Sequence, residues 1–135
     1  MSSIFSKIIS GEVPSYKVAE DDHCFAFLDI NPNTEGHTLC VTKTEIDRFL
    51  DLRPNQYLKL MEFSFRVGQA IQKVIPCNRV GLSIIGLEVP HVHVHLIPLN
   101  SMSDVTFEKK VALSSNQMHI TADRIAKEYQ KITSK

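Results

Sequence analysis

The sequence carries no net charge: 15 basic side chains balance 15 acidic ones over 135 residues. A protein that grips a nucleic-acid backbone usually shows a basic excess, so no nucleic-acid partner is expected. No run approaches the ~20 apolar residues that a membrane-crossing helix needs, so no membrane partner is expected either. Cysteine is scarce: Cys24, Cys40 and Cys77 lie far apart, with no C-x-x-C pair. An odd, unclustered set excludes a disulfide framework and suits a reducing compartment. The opening MSSIFSKIISGEVP lacks a charged segment followed by an apolar run, so it does not read as a signal peptide, and a cytoplasmic location is expected. Repeats, low-complexity tracts and domain-splitting linkers are absent, so one domain over 1–135 is expected.

What is present reads as short elements in a mixed order. Ile4, Phe5, Ile8 and Ile9 recur at helical spacing, with Ser2 or Ser3 as cap and Gly11 as stop, which predicts a helix over 3–10. Residues 16–20, 24–29 and 38–42 read as strands separated by turn chemistry. Pro54 suits the first turn of a long helix reaching about 75, with Leu58, Met61, Phe65, Ile71 and Val74 near its apolar face. Residues 79–85 read as a fourth strand and 91–97 as a fifth. Ser114 and Gln117 form a capping box that opens a last helix over 114–133. Its apolar positions are Met118, Ala122, Ile125, Tyr129 and Ile132. The class is α+β: an antiparallel sheet of about five strands, a long packed helix, and short N-terminal and C-terminal helices.

The informative segment is His91-Val92-His93-Val94-His95-Leu96-Ile97. Strand side chains alternate, so the three histidines share one face and Val92, Val94 and Leu96 the other. Three readings of that face stand. One is a plain polar face, although Thr, Lys or Glu would serve as well. The second is zinc. His91 and His95 are ~13 Å apart at their α-carbons on a straight strand, so all three cannot share one ion, whereas two with His37 can. The third is nucleophilic catalysis at phosphorus. An imidazole attacks well when its second nitrogen is held by an acceptor, and flanking histidines can stabilise charge and protonate a leaving group. His93, with a neighbour on each side, is the candidate nucleophile.

This H-φ-H-φ-H-φ-φ segment (φ apolar) resembles the signature of the histidine triad (HIT) family. Phe25-Ala26-Phe27-Leu28-Asp29-Ile30-Asn31-Pro32 and Gly36-His37-Thr38-Leu39-Cys40-Val41-Thr42-Lys43 resemble its "F-x-D-I-x-P…GH-x-L-V-x-P-K" stretch. Ile4 to Pro14 resembles its N-terminal helix and exit, and the likeness runs in register over about 3–99. The resemblance implies a HIT-like fold and a homodimer. It implies a small purine nucleotide of AMP or GMP type as ligand, and hydrolysis through a nucleotidyl-His93 intermediate with no cofactor or metal. His91 and His95 would contact the phosphate or the leaving group, and His37 would complete the cluster. Asp29 would hold the ribose hydroxyls, with Ile4, Phe5, Ile8, Phe27 and Ile30 around the base. Related nucleotidyltransferases carry Gln at the third triad position, so His95 favours hydrolysis, as in a nucleoside phosphoramidase or dinucleoside polyphosphate hydrolase.

Three departures stand out. Gly86-Leu87-Glu88-Val89-Pro90 puts Leu87 where many members have Gln, and Glu88 where some have a hydroxyl. Glu88 would repel phosphate or act on an amine leaving group. Val80 to Ile85 lacks the Asn- and Gly-containing phosphate loop of many relatives, leaving Ser83 as the side-chain donor there. Ser3 and Ser6 stand where some bacterial members have a zinc-binding cysteine pair. A nucleotide-binding regulatory protein with little turnover is therefore the alternative. Lys43 and Lys109-Lys110 read as surface residues, and His23 and His119 as solvated.

Overall fold

The computed structural model describes residues 2–134. A short helix α1 (Ile4–Ile9) precedes strands β1 (Lys17–Glu20), β2 (Cys24–Leu28) and β3 (Thr38–Thr42). The long helix α2 (Pro54–Val74) follows, then β4 (Arg79–Ser83), β5 (His93–Leu99) and the last helix α3 (Ser115–Thr133). The sheet is antiparallel throughout, in the order β1-β2-β3-β5-β4. This is the α+β arrangement the pattern predicts.

Local chemistry accounts for the element ends. Ser3 caps α1, its hydroxyl accepting the Ser6 N–H at 3.0 Å, and Pro54 opens α2, where a missing N–H costs nothing. Ser114 and Gln117 close the capping box of α3 in both directions, at 3.1 and 2.9 Å. Gly36, at φ +94°, takes a conformation that side chains rarely adopt. A Cβ there would also lie 3.0 Å from Ile75 Cγ1, so glycine is required just before His37.

One face of the sheet packs on α2 and α3. Val92, Val94 and Leu96 of the β5 region join Leu60, Phe63, Val67 and Ile71 of α2 and Met118, Ala122 and Ile125 of α3 in the main core. The opposite face carries a smaller cluster of Phe5, Phe25, Phe27, Leu39 and Val41. The histidines lie on that second face.

Two details correct the sequence reading. The buried stripe of α2 runs through Leu60, Phe63, Val67, Ala70 and Ile71, whereas Leu58 and Phe65 stay 63% and 66% exposed. Ile71 is buried and Met61 and Val74 pack against the core as expected, so the correction is confined to Leu58 and Phe65, whose places Leu60, Phe63 and Val67 take. The fifth strand begins at His93 rather than His91. The His91 N–H turns back to the Val89 carbonyl (2.8 Å) and the Val92 N–H bonds the Ile46 carbonyl (2.7 Å), so the chain enters the sheet two residues late.

Candidate active site

The central strands bring the histidines together. In the β3–β5 ladder, Leu39 pairs with His95 and Val41 with His93, which sets those two rings beside the Phe5–Phe27 cluster. The Phe5 ring meets His93 edge-on with centroids 5.0 Å apart, and His93 meets His95 at 4.9 Å. A cavity of about 760 Å³ opens over this face. Its wall includes Ile4, Phe5, Ile8, Phe27, Asp29, Ile30, Glu88, His93 and His95. Ile30 and Leu87, 80% and 89% exposed, stand at its rim. A second cavity of about 290 Å³ shares Ile85, Gly86 and His93 with the first and is also lined by Asp47, Arg48 and Asp51.

Hydrogen bonds fix the ring tautomers, because a backbone N–H can only donate and a carbonyl can only accept. The Asn33 N–H donates to His37 Nδ1 at 3.0 Å, so the neutral His37 ring carries its proton on Nε2. That Nε2–H donates to His95 Nδ1 at 3.0 Å. Neutral His95 therefore has Nε2–H as its remaining donor, and His95 lines the cavity. His93 Nδ1 lies 2.7 Å from the His91 carbonyl and must donate to it. In the neutral ring this leaves Nε2 with its lone pair free. That is the orientation a nucleophilic imidazole needs.

Burial holds the His37 and His95 rings neutral. His37 is pushed down to about 3, by loss of hydration first and then by the nearby His95, Lys110 and His93 charges. His95 is pushed down to about 4, again mainly by burial. Asp29, partly buried, is shifted upward by desolvation, against the Asn31 N–H that its Oδ1 accepts at 2.8 Å. Its Oδ2 lies 3.7 Å from His37 Nε2.

His91 occupies a different environment. It is fully buried and does not line either cavity. Its Nε2 donates to the Thr42 carbonyl at 2.7 Å, and its Nδ1 accepts the Ser3 hydroxyl at 2.7 Å. Both ring nitrogens are thus spent on the frame. The expectation that His91 contacts phosphate or leaving group is corrected: it holds the carbonyl that orients His93. Ser83 pairs with His95 across β4 and β5, but it too is absent from both cavity walls, and its hydroxyl is enclosed without a partner among the described residues.

Some residues went unread in the sequence. Glu45 accepts the Ser3 N–H (2.7 Å) and the Ser6 hydroxyl (2.6 Å), closing a chain of bonds Glu45–Ser3–His91. No spacing rule ties a carboxylate after β3 to the N-terminal helix. This donor set does not fit zinc: serine hydroxyls stand in for thiolates, Ser3 Oγ is bonded to His91 and the Ser6 N–H while Ser6 Oγ donates to Glu45, and His91 has no free nitrogen. Phe107 and Lys110 line the main cavity, so the surface reading of Lys110 is corrected. Lys43 instead pairs with Glu20 at 2.7 Å, and His23 and His119 are exposed as expected.

Asp29, His37 and His95 place one ligand atom each within 4.8 Å of one another, the spacing of a metal site. Here the His37–His95 contact is a hydrogen bond, and a metal ion would have to displace its proton.

The HIT domain model matches residues 10–102. An uncharacterised HIT-like protein of Methanocaldococcus jannaschii is 40% identical over 102 residues, covering 70% of this chain and 77% of that protein. The adenosine 5′-monophosphoramidase of Saccharomyces cerevisiae is 39% identical over 100 residues, covering 70% of this chain and 61% of that enzyme. Among solved structures, a HIT-like protein of Bartonella henselae superimposes with a TM-score of 0.82 at 26% identity, covering 94% of this chain and 96% of that one. With the family model spanning most of the chain and the triad built on one sheet face, this protein belongs to the HIT family.

Proposed function

We propose that this chain hydrolyses the α-phosphate linkage of purine nucleoside phosphoramidates or related nucleotides through a nucleotidyl-His93 intermediate. The observation that carries the reading is the 2.7 Å bond from His93 Nδ1 to the His91 carbonyl, which leaves Nε2 free on a ring that lines the cavity. In the first step Nε2 forms a bond to phosphorus, and the bond from phosphorus to the leaving nitrogen or oxygen breaks. The departing atom keeps that electron pair and takes up a proton from solvent, which the attacking water gives back in the second step. The His95 Nε2–H, oriented by His37, donates a hydrogen bond to the phosphoryl or leaving atom. Water then attacks phosphorus, the N–P bond breaks back to His93, and the nucleoside monophosphate leaves. Ile4, Phe5, Ile8, Phe27 and Ile30 offer an apolar slot for the base, and Asp29 a paired acceptor for ribose hydroxyls.

The test is turnover of adenosine 5′-phosphoramidate. Wild type releases AMP, and His93→Ala loses about 10⁴-fold or more. Full turnover in the variant overturns the reading. Turnover unchanged after exhaustive chelation excludes the zinc alternative.

Leu87 favours a second reading, a nucleotide-binding protein with little turnover, because it offers no amide at the cavity rim. AMP affinity without release of product from the phosphoramidate would select it. We further propose that the exposed Leu58 and Phe65 of α2 and Leu82 of the edge strand β4 meet a second copy in a homodimer. Sedimentation giving the monomer mass for wild type at micromolar concentration would remove that proposal.

A further inference from the structure

The walls of the main cavity pose an electrostatic problem. A nucleoside monophosphate brings nearly two negative charges, and the wall already carries the carboxylates of Asp29 and Glu88. The buried rings of His37 and His95 are held neutral and offer dipoles rather than charge. Burying a phosphate beside two carboxylates without a cation is costly.

The segment after β5 supplies one. Among the described residues, Lys110 is the one Lys or Arg on the wall of the main cavity. Its ammonium donates to Asn33 Oδ1 at 2.7 Å and sits 5.0 Å from the centre of the Phe107 ring. Two of its three N–H groups remain for a ligand. Asn33 is a fully buried residue with three duties. Its Oδ1 accepts Lys110, its Nδ2 donates to the Asp104 carbonyl at 3.0 Å, and its backbone N–H fixes the His37 tautomer. The lysine is therefore tied to the same residue that sets the proton order of the His37–His95 pair.

The backbone is bent to build this wall. Phe107 has φ +62°, a left-handed conformation that is unfavourable for a bulky residue. Its ring lies edge-on to His95, with centroids 4.9 Å apart, and 6.0 Å from His37. The Val111 N–H bonds the Pro32 carbonyl at 3.0 Å and anchors the far end of the segment. Both Phe107 and Lys110 fall outside residues 10–102, the stretch matched by the family model.

We propose that Lys110 is the charge-compensating residue of this site: it binds the phosphate of the ligand directly, from a Phe107–Lys110 wall that lies outside the stretch matched by the family model. The inference rests on the nucleotide reading above. The competing cation is Arg48, which lines only the smaller cavity and shares it with Asp47 and Asp51.

Calorimetric binding of AMP and of adenosine to the full chain tests the assignment. Lys110→Met should weaken AMP by about 10- to 100-fold, the loss of a charge-assisted hydrogen bond, and leave adenosine within about twofold. Lys110→Arg should recover most of the AMP affinity. Retained adenosine binding in Lys110→Met shows that the pocket is still folded. Arg48→Met should leave AMP binding intact. If wild type binds AMP and Lys110→Met binds it equally well, the role of Lys110 is overturned while the nucleotide reading stands. If wild type binds neither compound, the nucleotide reading itself fails and this inference with it.

Discussion

The two ends of the triad look alike in sequence and differ in the fold. His91 and His95 both stand two residues from His93, on the same side of the chain. At the His91 end, Ser3, Thr42 and Glu45 consume every polar group, and the ring is fully buried. At the His95 end, His37 takes only Nδ1 and leaves the other nitrogen on a ring that faces the cavity. Periodicity decides which face a side chain joins. The partners already waiting there decide whether it reacts or supports.

The sharpest way to break this comparison is to remove each end in turn. His95→Ala should cut turnover by about 10²–10⁴-fold, the range for one positioned proton donor, with a small loss of stability. His91→Ala should act through the fold instead. It strands the Thr42 carbonyl and opens a void, costing about 3 kcal/mol or more in chemical denaturation. If His91→Ala keeps full stability, the proposed division of labour is wrong.

A smaller effect is expected one bond further out. Ser3→Ala removes both the α1 cap and the bond to His91 Nδ1, and should cost about 1–2 kcal/mol. Turnover should fall less than in His95→Ala. Equal losses of activity in the two variants would mean that the two ends are equivalent.

Acidity sharpens the contrast in stability. His37 and His95 have folded pKa values depressed to about 3 and about 4, below the ordinary value near 6.5. Between those values the unfolded chain binds the extra protons, so stability should fall as pH drops from about 6.5 toward 4. Each histidine contributes a slope of up to about 1.4 kcal/mol per pH unit. His37→Asn should flatten part of that slope in denaturation series at several pH values. An unchanged slope would show that His37 titrates normally.

Much of the fold was legible because its signals are local. The capping box at Ser114, Pro54 at the start of α2 and the alternation around Val94 each state their own structure. The α2 interface was misread because two apolar stripes share one helix, and only the docking partner selects between Leu60–Phe63–Val67 and Leu58–Phe65. His93, His95, Asp29 and the apolar slot could be placed from pattern and family likeness. Glu45, Phe107, Lys110 and the side-chain bonds of Asn33 could not, since each acts across a long sequence separation through a contact that no periodicity encodes. Phe107 goes further still: its left-handed backbone is unfavourable locally, so a sequence rule argues against the geometry found.

The most direct test of the central claim is to trap the intermediate. Rapid acid-free quenching of wild type during turnover of adenosine 5′-phosphoramidate, followed by peptide mass spectrometry, should find one adenylyl group on the peptide containing His93. Steady turnover with no adduct in wild type, or an adduct on any other residue, contradicts the account.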